Sequence, residues 1–226
     1  MAATRFAEQT VVITQGLIRE AMTKVHRRTP IYIAYDEYNA SWRNRTFNLE
    51  DALVVATYLN IFVRHADVVK MANMAQLVNL LAPIMAEKGG VWLQTIYYPL
   101  ALFSHHCYGR SLEAYVDCPS YSLKSKELVP YLDVSASYDK AKSRVVLNVV
   151  NRCKEEAVDA GIECQSGQWN GDGQAYTVDS KNVTDANSLG HEVVKTVEKG
   201  FKAEGAMLHY SFPPHSFTQL LIPIKK

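Results

Sequence analysis

Between residues 31 and 72 the sequence spells strand, helix, strand, at connection lengths that imply parallel strands lying side by side. Ile31-Tyr32-Ile33-Ala34-Tyr35 is short, β-prone and mostly apolar, the pattern of a buried strand in a parallel sheet. Asp36-Glu37-Tyr38-Asn39 then leaves it for a polar loop. Asn48 is placed to cap the following helix, with Asp51 at the capping-box position in place of the usual Glu. Glu50 and Asp51 also suit the positive end of the helix dipole. Leu49, Leu53, Ala56, Leu59, Asn60 and Val63 mark the helix's inner side, and Arg64 and His65 close it. Asp67 to Ala72 reads as the second strand.

Around this unit the periodicity predicts an amphipathic helix over 5–26, carried by Phe6, Val12, Ile13, Leu17, Ile18, Met22 and Val25 and stopped by Pro30. Residues 74–86, with Pro83, read as a loop with some helical turn. Trp92 to Phe103 reads as a third helix interrupted by Pro99. A closed (β/α)8 barrel takes roughly 200–250 residues. The two strands found here are therefore either part of a barrel or a very small α/β layer.

The character changes near residues 105–130. Beyond it, candidate strands fall at 130–138, 144–151, 157–165, 174–179, 191–199, 206–212 and 216–224. Gly and Asn clusters such as Gln165–Gly173 separate them. The spacing and turn signals predict an antiparallel β-sandwich. His191 to Val197 alternates polar and apolar, as a half-exposed strand does.

The chain has 226 residues, 48% of them hydrophobic and 21% charged, ordinary values for a globular protein. A net charge of +1 with interspersed signs carries no nucleic-acid footprint. No apolar run is long enough to span a bilayer, and Met1 to Glu8 lacks the pattern of a secretory signal. Cys107, Cys118, Cys153 and Cys164 form no CxxC pair. They read as free thiols in a reducing compartment, hence the cytoplasm. Sequons begin at Asn39, Asn44 and Asn182 and matter only in a secreted protein. Nucleotide-binding glycine motifs, GxSxG and HExxH are absent, and no cofactor or metal is expected.

Two positions carry the chemistry. Asp36-Glu37 sits where a parallel strand ends, the end that faces the active site in barrel enzymes. Tyr35, Tyr38 and Trp42 flank it, and aromatic faces pack against sugar rings. The same carboxylates could instead cap the next helix or pair with Arg43 or Arg45, and the aromatics could be core. Gln94 lies in Trp92-Leu93-Gln94-Thr95-Ile96-Tyr97-Tyr98-Pro99. Its amide could bind sugar hydroxyls as donor and acceptor, or satisfy backbone groups at a helix start. His65-Ala66-Asp67, Asn60 and His215 read as structural. His105-His106-Cys107 resembles a metal cluster only superficially, because neighbouring side chains diverge.

Ile33-Ala34-Tyr35-Asp36-Glu37-Tyr38-Asn39 resembles the nucleophile motif of glycoside hydrolase family 51, the α-L-arabinofuranosidases. Further blocks resemble it in order and spacing. These are Leu49–Leu53 running into Arg64–Asp67, Met71–Asn79 with Ala82-Pro83-Ile84, Gln94–Pro99, and Phe212-Pro213-Pro214-His215-Ser216 near the end. Tyr38 stands where the family has tryptophan.

The resemblance implies a partial (β/α)8 TIM barrel, its last strands and helices over residues 1–106, followed by an antiparallel β-sandwich over 107–226. It implies a retaining exo-α-L-arabinofuranosidase that releases terminal arabinofuranosyl units from arabinan- or arabinoxylan-type oligosaccharides. Glu37 would be the nucleophile and Gln94 a furanose ligand. Asn39 would line the site, and Trp42 would stand on the leaving-group side, one residue beyond the family's usual spacing. The family's acid/base Glu follows an Asn on an earlier barrel strand and is expected to precede residue 1. This chain alone is therefore expected to be inactive. Family members often assemble as oligomers, so a homo-oligomer of the full-length protein fits. The alternative from the residues alone is a non-catalytic carbohydrate-binding or interaction module, and a truncated gene product is a third.

Overall fold

The structure is a computed structural model that describes residues 4–40 and 46–225. Helix α1 (Thr4–Lys24) leads to strand β1 (Ile33–Tyr38), helix α2 (Leu49–Arg64) and strand β2 (Val69–Met74). β1 and β2 pair in parallel, so the strand–helix–strand reading of the sequence holds. Both strands lie further along the chain than the sequence suggests, and Asp36 and Glu37 fall inside β1 rather than in a loop beyond it. Asn48 and Asp51 form the reciprocal capping box that their spacing predicts: Asp51 N–H donates to Asn48 Oδ1 and Asn48 N–H to Asp51 Oδ2.

Two expectations for the next stretch are corrected. Residues 84–93 form a hairpin of β3 (Ile84–Glu87) and β4 (Gly90–Leu93), and Trp92 belongs to it. Helix α3 (Tyr97–His106) starts only afterwards. Pro99 does not interrupt α3; it sits in the first turn, where a backbone N–H has no helical partner to lose.

The rest is β structure: β5 (Arg110–Leu112), β6 (Ser120–Ser122), β7 (Leu128–Pro130), β8 (Leu132–Asp139), β9 (Arg144–Asn151), β10 (Val158–Glu163), β11 (Gln168–Asp179), β12 (Lys195–Gly205), β13 (Met207–Phe212) and β14 (Ser216–Lys225). Six strands form one sheet in the order β12-β11-β14-β9-β8-β5, and β10 pairs with β13. β11 runs through part of the Gly and Asn cluster read as a turn. Its pairing with β14 is irregular between Trp169 and Gln174. Gly173 lies under the Phe201 ring, where a Cβ would meet ring carbon at 2.4 Å. Gly173 thus serves close packing inside a bulged strand. His191 to Val194 stay outside β12, which begins at Lys195.

The six-stranded sheet is buried on both faces. One face packs Val145, Leu147, Val149, Leu220 and Ile222 against Leu208 and Phe212 of β13 and partly buried Val158 and Ile162 of β10. The other face meets α2 and α3, where Leu49, Ala52, Leu53, Ala56, Leu102 and Phe103 enclose Val150, Val178 and Phe217. α2 also packs Ile61, Tyr58 and Phe62 against β1, β2 and α1. It is buried on several sides, as a helix between two layers must be.

A polar seam runs through the sheet–helix contact. His106 Nδ1 lies 2.6 Å from Gln219 Oε1, Gln219 Nε2 donates to Asn148 Oδ1, and Asn148 Nδ2 donates to the Ser135 hydroxyl. Ser135 donates to Asn60 Oδ1, and Asn60 Nδ2 donates to Asp133 Oδ1. Asp133 also accepts from Arg152 at 2.6 Å and from Arg64 at 3.1 Å. Arg64 and His65 both reach Glu8 of α1. Burial alone would push the Glu8 carboxyl up, but hydrogen bonds from His65 and Arg64 and their charges hold it down at about 2. Among the described residues, no helix is long and apolar enough to cross a membrane. All four cysteines are free.

Candidate active site

Glu37 stands near the C-terminal end of β1, next to the last residue of the strand. Tyr35 pairs with Ala72 and Tyr38 with Met74, so β1 spends one residue more than β2 over this step. The extra residue is a bulge at Asp36-Glu37. Bulges re-aim side chains and concentrate beside active sites. Both carboxylates are exposed, while Tyr38 beyond them is buried. Among the described residues Glu37 has no hydrogen bond or ion pair, so its carboxylate is free to meet a ligand.

The aromatics flanking it divide. Tyr35 and Tyr38 turn toward α2, with ring centroids 5.2 and 5.0 Å from Phe62, and Tyr38 lies 5.5 Å from Tyr58. They are the shelf under the bulge rather than its exposed face. Burial pushes the Tyr38 phenol up to about 12, so it stays neutral and places no second anion beside Glu37. Trp42, Arg43 and Arg45 lie outside the described residues.

Asn39 and Gln94 come together on one loop, 75–83, which follows β2. Asn39 Nδ2 donates to the Leu81 carbonyl at 2.8 Å and toward that of Ala75 at 3.4 Å, and Asn39 Oδ1 accepts from Ala40 N–H. Gln94 is 1% exposed. Its Nε2 donates to the Ala82 carbonyl and its Oε1 accepts from Phe47 N–H, both at 2.8 Å. Of the two readings open for Gln94, satisfying backbone groups is the one these contacts fit. The loop needs such fastening, because Gln76, Asn79 and Leu80 all adopt positive φ. Non-glycine residues persist there only when their surroundings hold them.

Gln76 and Asn79 were missed by the sequence reading. Gln76 Oε1 accepts from Leu81 N–H and Asn79 Oδ1 from Ala86 N–H. The only signal was the ease with which Asn enters left-handed backbone. The remaining candidates are structural. His65 contacts Glu8, Asp67 accepts from Gln15, and His215 lies between the carbonyls of Lys154 and Ser180. His106 and Cys107 serve the polar seam, and burial pushes the Cys107 thiol up to about 11. Among the described residues no three His, Cys, Asp or Glu side chains gather as a metal site would require.

Residues 36–216, from the bulge to the start of β14, match the model of the alpha-L-arabinofuranosidase C-terminal domain. This chain belongs to that family. The "Probable alpha-L-arabinofuranosidase C" of Aspergillus fumigatus is 34% identical over 95% of this chain and 45% of its own length. The "Intracellular exo-alpha-(1->5)-L-arabinofuranosidase" of Halalkalibacterium halodurans is 31% identical over 78% of this chain and 37% of its own. Among solved structures, the arabinofuranosidase of Thermotoga petrophila superimposes with a TM-score of 0.87 at 24% identity, over 98% of this chain and 49% of that one. That of Thermotoga maritima, in an arabinose complex, gives 0.84 at 24% identity, over 96% and 48%. The chain spans about half the length of the family relatives it matches.

Proposed function

We propose that this chain carries the nucleophile-bearing part of a retaining exo-α-L-arabinofuranosidase. The observation that carries the reading is Glu37, an exposed carboxylate with no partner among the described residues, on a bulge at the C-terminal end of a parallel strand. In the proposed reaction a Glu37 oxygen attacks the anomeric carbon of a terminal arabinofuranosyl unit. The glycosidic oxygen leaves with a proton from a second carboxyl group, and water later displaces Glu37 with retention of configuration. That second group must stand about 5–5.5 Å from the first. The resemblance assigns that second group to a Glu not matched within these residues, which span about half of the relatives' length, so these 226 residues alone are expected to give no turnover.

Asn39 and Gln94 contribute to the sugar site by fixing its wall, the loop 75–83, and Trp42 belongs to the leaving-group side. β1, α2 and β2 are read as the closing part of a (β/α)8 barrel, with the division into barrel and sandwich at 106/107. Their support is the parallel pair with its crossover helix and the half-length match to the solved structures. The substrate class is an arabinose-containing oligo- or polysaccharide. The cytoplasm is the compartment that four free thiols favour.

The test is a chimera in which this chain replaces the matching part of the Aspergillus fumigatus relative. It should hydrolyse a nitrophenyl arabinofuranoside, and Glu37→Gly should lower kcat by on the order of 10⁴. Added azide should restore turnover and give the arabinosyl azide of inverted configuration. Rate recovery without that product, or full activity of Glu37→Gly, would refute the assignment.

A further inference from the structure

We propose that Asn187, in the loop 180–194 of the sandwich, is a positioning residue for the sugar site, acting through the backbone that holds Gln94 and Glu37. This deepens the proposed function and rests on it.

The loop joins β11 to β12 and crosses to the helical layer. Its carbonyls receive N–H groups from the first turn of α2, which have no partner inside the helix. Leu49 N–H donates to Asp185 and Glu50 N–H to Val183. Ala186 forms an antiparallel bridge with Asn48, the cap of that helix. Leu189 lies over the β3–β4 turn, where a Cβ on Gly89 or Gly90 would stand 3.3 or 3.2 Å from its methyl carbons.

Asn187 is 1% exposed. Its Oδ1 accepts from Val193 and Val194 N–H at 3.1 and 2.9 Å, which closes the loop on itself. Its Nδ2 donates to the Val194 carbonyl at 2.8 Å and to the Leu93 carbonyl at 3.1 Å, with the Tyr98 hydroxyl at 3.4 Å. The Leu93 bond leaves the sandwich and grips the residue next to Gln94.

Three segments distant in sequence thereby close a ring. Asn187 holds Leu93. Gln94 Oε1 then accepts from Phe47 N–H, and Thr95 Oγ1 donates to the Asn48 carbonyl at 2.6 Å. Asn48 bridges Ala186, beside Asn187. From this ring the contacts continue to the nucleophile. Gln94 Nε2 holds the Ala82 carbonyl, Asn39 Nδ2 holds the neighbouring Leu81 carbonyl, and Ala75 N–H donates to the Tyr38 carbonyl. Tyr38 follows Glu37 directly. The stretch that begins at Glu37 is thus fastened near its start to loop 75–83 and at Phe47 to Gln94. A misplacement of about 1 Å far from the reacting atoms can cost on the order of 10²-fold in rate.

The experiment uses the chimera described above, with Asn187→Ala and the near-isosteric Thr95→Val, which opens the ring at its opposite side. Each should lower kcat on the nitrophenyl arabinofuranoside at least tenfold and change KM less than threefold, because the aim of Glu37 matters more in the transition state than in binding. In each, the Phe47 and Ala82 amides should exchange at least tenfold faster, while those of β8 do not change. Leu220→Ala is the control for lost stability. It empties a fully buried site on the opposite face of the sheet and should leave kcat within twofold.

Unchanged kcat in Asn187→Ala, unchanged exchange at Phe47 and Ala82, or an equal loss of kcat in Leu220→Ala would overturn the proposal. Should Asn187→Ala fail to fold, Thr95→Val decides by the same readouts. A chimera without turnover would count against the assignment of Glu37, and the exchange of Phe47 and Ala82 would then decide whether Asn187 holds the wall.

Discussion

Asp133 is where the sandwich and the helical layer share a charge, and Asp133→Ala tests that junction. The carboxylate is 8% exposed. It accepts from Arg152 at 2.6 Å, Asn60 at 2.8 Å and Arg64 at 3.1 Å. Without it Arg152, whose side chain is 4% exposed, keeps one carbonyl contact to Pro130 and a buried Nε that already lacks a partner. Arg64 suffers less, because its side chain is 25% exposed and retains Glu8. Removing one partner of a buried pair costs about 3–5 kcal/mol, mostly through the charge left behind. At this chain length each kcal/mol moves the midpoint by about 2–4 °C, so a fall of roughly 6–20 °C is expected. The assay is thermal and urea unfolding followed by circular dichroism and tryptophan fluorescence, whose coincidence checks that one transition is observed. The double variant Asp133→Leu, Arg152→Met removes both charges and should recover more than half of the loss. A loss below about 1 kcal/mol would refute the reasoning, being no more than an exposed ion pair contributes. So would an equal loss in the double variant.

Three further outcomes follow from particular contacts. Glu8 is held at about 2 in the fold, so its stabilisation should be complete above its ordinary value of 4.5 and disappear as pH falls toward 2. The stability difference between the wild type and Glu8→Gln, measured by urea unfolding at pH 7, 4 and 2.5, should shrink in that order; a difference that grows in acid would contradict the pairing. Gly109 has φ +92°, and a Cβ there would lie 2.1 Å from the Tyr138 carbonyl oxygen. Gly109→Ala should therefore cost at least about 1–3 kcal/mol, and an unchanged melting midpoint would refute the overlap. Leu53 is fully buried between α2 and the sandwich. Leu53→Ala should cost about 2–5 kcal/mol in urea unfolding, whereas exposed Leu128→Ala should stay within about 0.5 kcal/mol.

Local signals in this chain were legible and tertiary ones were not. The capping box of α2 and the parallel strands flanking it could be read because each depends on residues close in sequence. The boundaries of β1 were misread because Asp36-Glu37 looks like a loop, and only pairing with β2 shows that a bulge carries them. Trp92 was assigned to a helix because apolar runs as short as 92–103 do not distinguish a hairpin strand from a helix. The glycines of 165–173 looked like a turn because nothing local announces that Phe201 will lie across Gly173. For the candidate site, the motif points to Glu37, but the fastening of loop 75–83 by Gln76 and Asn79 depends on contacts made by backbone folding back on itself. Likewise Asp133, Ser135, Asn148 and Gln219 alternate with apolar neighbours in the manner of residues facing water. They are buried because α2 and α3 lie over that face of the sheet.

The seam that these residues form has a direction. Gln219 donates to Asn148, Asn148 to Ser135, Ser135 to Asn60, and Asn60 to Asp133. Asp133 when ionised can only accept, so it fixes which way Asn60 is turned, and each amide or hydroxyl then fixes the one before it. The order obliges His106 to carry its proton on Nδ1, the nitrogen facing Gln219 Oε1. A slip of β9 or β14 by two residues would still present valine and leucine to the helices, and an apolar core could tolerate it. The same slip would break Asn148 and Gln219 away from their partners and strand the rest of the relay, at about 1–3 kcal/mol for each buried group left unpaired. Across the relay that is comparable to the roughly 5–15 kcal/mol by which a whole domain is stable. The apolar layers hold the sheet against the helices; the one-way relay ending at Asp133 decides which of several similar fits is the one adopted.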